Sequence, residues 1–191
     1  MRFVISTILA AFVVAGCSNP SDKDGSEAPL PETRPAAVSL PETHPAATPE
    51  NVSVEIMDEA RFADVLERRR GKVVLIDYWA TWCKPCRELF PHAVELHRRL
   101  AAEGLVVIAI SLDDPEDESK VQKWLTANGA SFENYISRYG TGTRSAEVFD
   151  VPSGVPYLQL YDRDGEISRT FAAPIDPELV DKAIEELLAA P

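Results

Sequence analysis

Cysteine and histidine are both scarce in this 191-residue chain, which holds only three of each. Two of the cysteines, Cys83 and Cys86, have two residues between them, a spacing that zinc sites also use. Such a site needs a second cysteine pair or two suitably placed histidines, and His92 and His97 do not clearly converge on the sulfurs. The scarcity therefore argues against a metal centre, and no cofactor is expected.

Basic residues are also few, with 19 lysines and arginines against 31 acidic residues and a formal net charge of −12. Nucleic acids and anionic lipid surfaces both attract positive protein charge. The acidic balance thus excludes nucleic acid as a partner. It also means that any membrane attachment must come from something other than charge.

A long apolar run is missing as well, because the N-terminal stretch Phe3–Ala15 is shorter than the roughly 20 residues of a membrane-spanning helix. One arginine precedes it and small residues follow, which predicts a secretory signal over residues 1–16. The ending "VAGC" resembles a bacterial lipobox, which implies cleavage before Cys17 and acylation of that cysteine. Ser18 follows in place of a retention-type aspartate, which favours the outer membrane over the inner one in a cell that has both. An ordinary signal peptide or an uncleaved anchor is the alternative.

Aromatic residues are absent between Ser18 and Glu50, a segment that carries seven of the fifteen prolines. It repeats a ten-residue unit, "LPETRPAAVS" and then "LPETHPAATP". Such a composition buries too little apolar surface to fold and favours extended polyproline II. Residues 17–50 are therefore predicted to be a lipidated cysteine and a disordered spacer, with a Pro-rich docking site as the alternative.

Residues 51–191 have a globular composition and alternate between strand and helix patterns. The order β-α-β-α-β-α-β-β-α predicts an α/β fold with a mixed central sheet and helices on both faces. The predicted strands are Val52–Ile56, Lys72–Ala80, Leu105–Leu112 and a hairpin over Tyr157–Phe171. The predicted helices are Ala60–Arg69, Arg87–Ala102, Pro115–Gly129 and Asp176–Ala190.

The stretch "WATWCKPC" places Cys83 and Cys86 after a buried strand and at the start of a helix. Unpaired N–H groups and partial positive charge at a helix N-terminus stabilise a thiolate. Lys84 adds a nearby positive charge, and Pro85 suits a first helical turn. A helical turn brings both sulfurs within bonding reach, so the pattern predicts a disulfide that opens and closes readily.

The longer stretch "VVLIDYWATWCKPCRELFP" resembles a thioredoxin-superfamily active site, including Pro91 five residues after the second cysteine. With the lipobox, it looks most like the TlpA/ResA-like branch of extracytoplasmic thiol-disulfide oxidoreductases. The resemblance covers roughly residue 52 to the end and implies a thioredoxin-like fold. It also implies that Pro91 kinks its helix, and that Gly154, Val155 and Pro156 form the family's cis-proline loop.

The resemblance implies roles for these residues. Cys83 attacks a substrate disulfide, and Cys86 then resolves the mixed disulfide. Pro156 is expected to be cis, so that the Val155 backbone pairs with the substrate chain. Substrate binding is assigned to these two and to Trp82, Lys84 and Pro85.

Asp77 aligns with a buried acid that moves protons to and from the second cysteine. The neighbouring predicted strand has no basic residue, so burial should raise the pKa of Asp77. A strand-end aspartate tied to backbone donors is the alternative. Pro152 and Tyr157 depart from the family pattern beside the substrate groove. The resemblance therefore does not predict the substrate specificity.

Three other functions compete with this one. A copper-delivery protein would need a distant histidine after the cysteines. A thiol peroxidase would need the threonine at position 81 to stand one residue earlier. A binding lipoprotein could carry a purely structural disulfide. The resemblance implies protein thiol or disulfide substrates and a DsbD/CcdA-type membrane electron donor. It also implies reduction of selected disulfides, for example in cytochrome c maturation.

Overall fold

The computed structural model describes residues 52–190. The predicted signal, the lipidated Cys17 and the Pro-rich spacer lie outside the described residues. The strands are β1 (Glu55–Met57), β2 (Val73–Trp79), β3 (Leu105–Ser111), β4 (Glu133–Ser137), β5 (Tyr157–Tyr161) and β6 (Ile167–Ala172). The helices are α1 (Glu59–Arg68), α2 (Lys84–Leu100), α3 (Glu118–Ala127), α4 (Thr143–Phe149) and α5 (Pro177–Ala189).

The six strands form one sheet in the order β1-β4-β3-β2-β5-β6. The first four are parallel, whereas β5 is antiparallel to β2 and β6 is antiparallel to β5. The predicted mixed sheet with helices on both faces is confirmed. The carboxyl ends of the parallel strands and the start of β5 meet at one edge, where the cysteines follow β2.

Two elements are missing from the sequence prediction. β4 reads "ENYIS" and buries the polar residues Asn134 and Ser137, so its apolar alternation is weak. α4 has only seven residues, and just Ser145 and Phe149 are buried, which is too short for a helical period to show. β1 is also shorter and later than predicted, at three residues.

Every residue of β2 is buried, and its side chains alternate between the two faces of the sheet. Leu75 and Trp79 join a core with residues of α2, α3 and α5. Ile76 and Tyr78 join a second core with residues of α1 and α4. By this alternation, Asp77 lies on the face that carries α2.

A buried glutamine connects the second core to the loop after α4. The Gln159 side-chain oxygen accepts hydrogen bonds from the hydroxyls of Tyr78 (2.9 Å) and Tyr161 (2.8 Å). Its amide nitrogen donates to the backbone carbonyls of Phe149 (2.9 Å) and Asp150 (3.0 Å). Gln159 is fully buried, and its bonds to Tyr78, Tyr161 and Phe149 are buried with it, so these three partners depend on it rather than on water.

Replacing Gln159 with alanine should therefore remove hydrogen bonds from three buried groups. Because each unpaired buried group costs roughly 1–3 kcal/mol, we expect the free energy of unfolding to fall by about 3 kcal/mol. Urea unfolding measures this. Thr170 is the exposed partner of Gln159 in the β5–β6 register, so Thr170→Ala is the matched control and should stay within about 0.5 kcal/mol of the parent. An equally small effect of Gln159→Ala would contradict the account.

Candidate active site

The N-terminus of α2 holds both cysteines in one helical turn. Cys83 is the N-cap residue, and its sulfur accepts a hydrogen bond from the Cys86 backbone N–H at 3.2 Å. Pro85 lies in the first turn, where its missing N–H leaves no acceptor unpaired. Cys83 and Cys86 form a disulfide with an S–S distance of 2.02 Å. The sulfur of Cys83 thus lies at the end of the helix whose partial charge favours a thiolate.

The surroundings of the disulfide differ on its two sides. Cys86 is buried at 2 % exposure and Cys83 retains 5 %, while Trp82 beside it is 54 % exposed. Lys84 is exposed and its ammonium lies 3.6 Å from the Glu88 carboxylate. Both cysteines are thus buried, whereas the residues on either side of Cys83 are exposed.

Trp79 lies in the core beneath the site, whereas Pro91 is an exposed residue of α2. The ring of Trp79 is fully buried, 4.5 Å from the Trp124 ring and 5.0 Å from the Phe90 ring. Pro91 lies inside α2, where it cannot donate the usual backbone hydrogen bond. Trp79 is thus a core residue, and the kink expected at Pro91 stays a prediction.

The loop before β5 lies at the same edge of the sheet as the cysteines. Gly154 has a φ of +73°, and the Val155–Pro156 peptide bond is cis, as the resemblance implies. Val155 packs against the core that includes both cysteines. Among residues 52–190, its backbone N–H and C=O form no hydrogen bond, which leaves them available to an extended chain. A second cis bond, Ala173–Pro174, follows β6 and was not anticipated.

Asp77 lies in an apolar part of the sheet at 2 % exposure. Its register partners are Ala109 on β3 and Leu158 on β5, which both belong to the core around the cysteines. Within the described residues, no donor hydrogen-bonds its carboxylate, so the backbone-tied alternative has no support. Burial raises the pKa of Asp77 to about 7, the direction expected from the sequence.

Asp77 should make stability depend on pH. Between its unfolded pKa near 3.8 and about 7, the folded chain keeps the proton that the unfolded chain releases, so the free energy of unfolding falls as pH rises. Asp77→Asn removes this decline. Relative to the parent, the oxidised variant should gain up to about 4 kcal/mol between pH 4 and pH 8, as measured by denaturant unfolding.

The exposed hairpin residue Asp164 offers a matched control. Asp164→Asn should differ from the parent by a small amount that does not follow this pH window. A difference between Asp77→Asn and the parent that stays constant from pH 4 to pH 8 would contradict the buried-acid account.

Asp113 is a site residue that sequence reasoning missed. It is fully buried after β3, and its carboxylate accepts hydrogen bonds from the Thr81 N–H (2.7 Å), the Thr81 hydroxyl and the Ser111 hydroxyl (2.6 Å). Thr81 lies two residues before Cys83. The only available signal was position, because Thr81 and Asp113 follow neighbouring parallel strands and so meet at one edge.

The histidines after the cysteines have other contacts. His92 lies 2.6 Å from the Asp181 carboxylate of α5, and the His97 ring packs edge-on against Phe132. Within residues 52–190, no three histidine, cysteine or acidic side chains cluster as a metal site would require. In the same range, no helix combines the length and the apolar character needed to cross a bilayer.

Comparison with known proteins identifies the family. A sequence profile of the AhpC/TSA family matches residues 49–186. The chain belongs to this family. It is similar to the thiol:disulfide interchange protein HelX of Rhodobacter capsulatus, with 30 % identity over 133 residues and 69 % of each chain covered. It is also similar to the thiol-disulfide oxidoreductase ResA of Geobacillus kaustophilus, with 26 % identity over 118 residues.

The match to ResA covers 62 % of this chain and 64 % of the relative's length. A solved structure assigned to the thiol:disulfide interchange protein DsbE of Chlorobium tepidum superposes with a TM-score of 0.57 and 29 % identity, covering 65 % of this chain and 85 % of the other. The exposed lipoprotein thioredoxin Etrx1 of Streptococcus pneumoniae shares the fold, with a TM-score of 0.52 and 19 % identity over 64 % and 90 % of the two chains. The predicted thioredoxin-like fold and ResA-like resemblance are confirmed.

Proposed function

We propose that this protein is a membrane-tethered thiol-disulfide oxidoreductase that reduces disulfides of extracytoplasmic proteins. The observation that carries the proposal is the Cys83–Cys86 disulfide at the N-terminus of α2. The unpaired backbone of Val155 in the neighbouring loop supports it by offering a place for a substrate chain. The ResA, HelX and DsbE relatives support the same chemistry.

The proposed cycle starts from the reduced pair. The Cys83 thiolate attacks one sulfur of a substrate disulfide, which forms a mixed disulfide and releases the other substrate sulfur as a thiolate that takes up a proton. The Cys86 thiol then loses its proton and attacks the Cys83 sulfur. This step re-forms the Cys83–Cys86 bond and releases the second substrate thiol. Two electrons and two protons pass to the substrate.

Residues around the pair would assist this cycle. Asp77, whose pKa of about 7 suits proton exchange near neutrality, would accept the proton of Cys86. Trp82, Lys84 and Pro85 would contact the substrate around Cys83. Pro156 would hold the Val155 backbone in place for strand-like pairing with the substrate chain.

The direction of electron flow in the proposal follows the ResA-like relatives. A reductase outside the cytoplasm needs a supply of electrons, so we propose a membrane dithiol donor of the DsbD/CcdA type. That donor would reduce the Cys83–Cys86 bond after each turnover. Apocytochromes c that await haem attachment are the proposed substrates.

Replacing Cys86 with serine should stall the cycle at the mixed disulfide, because no thiol remains to release Cys83. We expect the variant to accumulate disulfide-linked partners in cells, visible by non-reducing electrophoresis and identified by mass spectrometry. The control is Cys83→Ser combined with Cys86→Ser, which should trap nothing. An absence of partners specific to Cys83 would contradict a disulfide exchange function.

The membrane tether is a separate part of the proposal and rests on the lipobox ending at Cys17. Metabolic labelling with a fatty-acid analogue should mark the parent protein, and Cys17→Ala should lose the label and leave the membrane fraction. Density separation should then place the labelled protein in the outer membrane. Cys83→Ser is the matched control and should keep the label. Labelling that survives Cys17→Ala would contradict the lipobox.

A further inference from the structure

The redox loop, defined here as Ala80–Cys83, joins the end of β2 to the start of α2. Its own backbone supplies one hydrogen bond, from the Cys83 N–H to the Ala80 carbonyl at 3.1 Å. A further bond runs from the Leu112 N–H to the carbonyl of Trp79, just before the loop, at 2.8 Å. At its helical end, the Cys83 carbonyl accepts a hydrogen bond from the Arg87 N–H at 3.2 Å, and Ala80 and Cys83 pack in the core. Thr81, in the middle of the loop, is held by a carboxylate that follows the neighbouring strand β3.

That carboxylate belongs to Asp113. Thr81 gives it two donors, the backbone N–H and the hydroxyl, so both oxygens of the carboxylate hold the same loop residue. Ser111 donates a third hydrogen bond, and the Lys120 ammonium lies 4.0 Å away. Because the carboxylate has no exposed surface, these contacts replace water rather than compete with it.

Packing does not confine the loop on every side. Thr81 lines an open groove of about 620 Å³ whose other walls include Arg87 and the Lys120 side chain. Thr81 itself is 7 % exposed, so little of it faces this groove. Its two hydrogen bonds to Asp113 are the polar contacts that hold this buried residue in place.

We propose that Asp113 is a positioning residue for the redox chemistry, acting through Thr81. By holding the loop, it keeps the Cys83 sulfur at the N-terminus of α2, where the Cys86 N–H donates to it. The thiolate that the proposed cycle needs is stabilised only while this geometry is kept. This inference rests on the proposed redox function and adds a residue that neither the motif nor the family resemblance assigned.

The neighbouring Asp114 separates geometry from charge. It carries the same carboxylate one residue later, but it is exposed and accepts a hydrogen bond from the Thr141 N–H at 3.2 Å. Asp114→Asn thus removes a negative charge from nearly the same place without touching the redox loop. Thr81→Val removes the hydroxyl donor with no change of charge, and Thr81→Ser restores it.

The test measures Cys83 directly in the full chain, reduced and kept in detergent. The rate of Cys83 alkylation by iodoacetamide is followed against pH, and the unfolding free energy of each variant is measured in parallel. We expect Thr81→Val to raise the apparent pKa of the Cys83 thiol by about half a unit or more. Thr81→Ser should return it to the parent value. The pKa of the Cys83 thiol should be higher in Asp113→Asn than in Asp114→Asn.

Two outcomes would overturn the proposal. One is a Thr81→Val protein that loses stability while the Cys83 pKa matches the parent, which would make the contact purely structural. The other is equal values for Asp113→Asn and Asp114→Asn, which would leave only a charge effect. The probe is a small alkylating agent, so a failure to trap protein substrates would refute the proposed function without changing this result.

Discussion

The chemistry of this protein depends on where α2 begins. Its N-terminus, capped by Cys83, lies at the carboxyl end of β2, the most buried strand of the sheet. Every residue of β2 is buried, so the strand cannot shift without exposing apolar side chains to water. The chain leaves it through four residues and enters the helix with Cys83 as the cap. Strand burial therefore fixes where the redox loop begins, and the helix N-terminus favours the thiolate of Cys83.

Two buried carboxylates, Asp113 and Asp77, affect the cysteine pair in different ways. Asp113 is buried and accepts hydrogen bonds on both carboxylate oxygens, so it can hold the redox loop. Asp77 is buried among apolar partners, and no donor within residues 52–190 bonds it, so burial raises its pKa to about 7. A well-partnered acid suits positioning, whereas an isolated one suits proton exchange. Burial of Asp77 thus lowers the free energy of unfolding at neutral pH and supplies a group that can titrate there.

Sequence patterns predicted the parts of this site that are local. The continuous apolar run of β2 and the Cys-x-Pro-Cys turn each have their cause within a few residues. The cis bond at Pro156 came from resemblance alone, since local sequence favours trans. The contact between Asp113 and Thr81 joins residues 32 apart, and no local pattern encodes it. β4 was missed for a related reason. Its polar residues Asn134 and Ser137 are buried by the rest of the fold, so its sequence lacks the alternation of polar and apolar residues that predicts a strand.

We infer that Cys83 and Cys86 form a reversible redox pair rather than a structural disulfide. Equilibrating the protein in dithiol–disulfide buffers of graded potential, and counting alkylated cysteines by mass, tests it most directly. The account predicts one two-electron transition between about −120 and −270 mV, the range of thioredoxin-fold exchange proteins, with both forms folded. A pair that stays oxidised below about −300 mV, or a chain that unfolds on reduction, would contradict it.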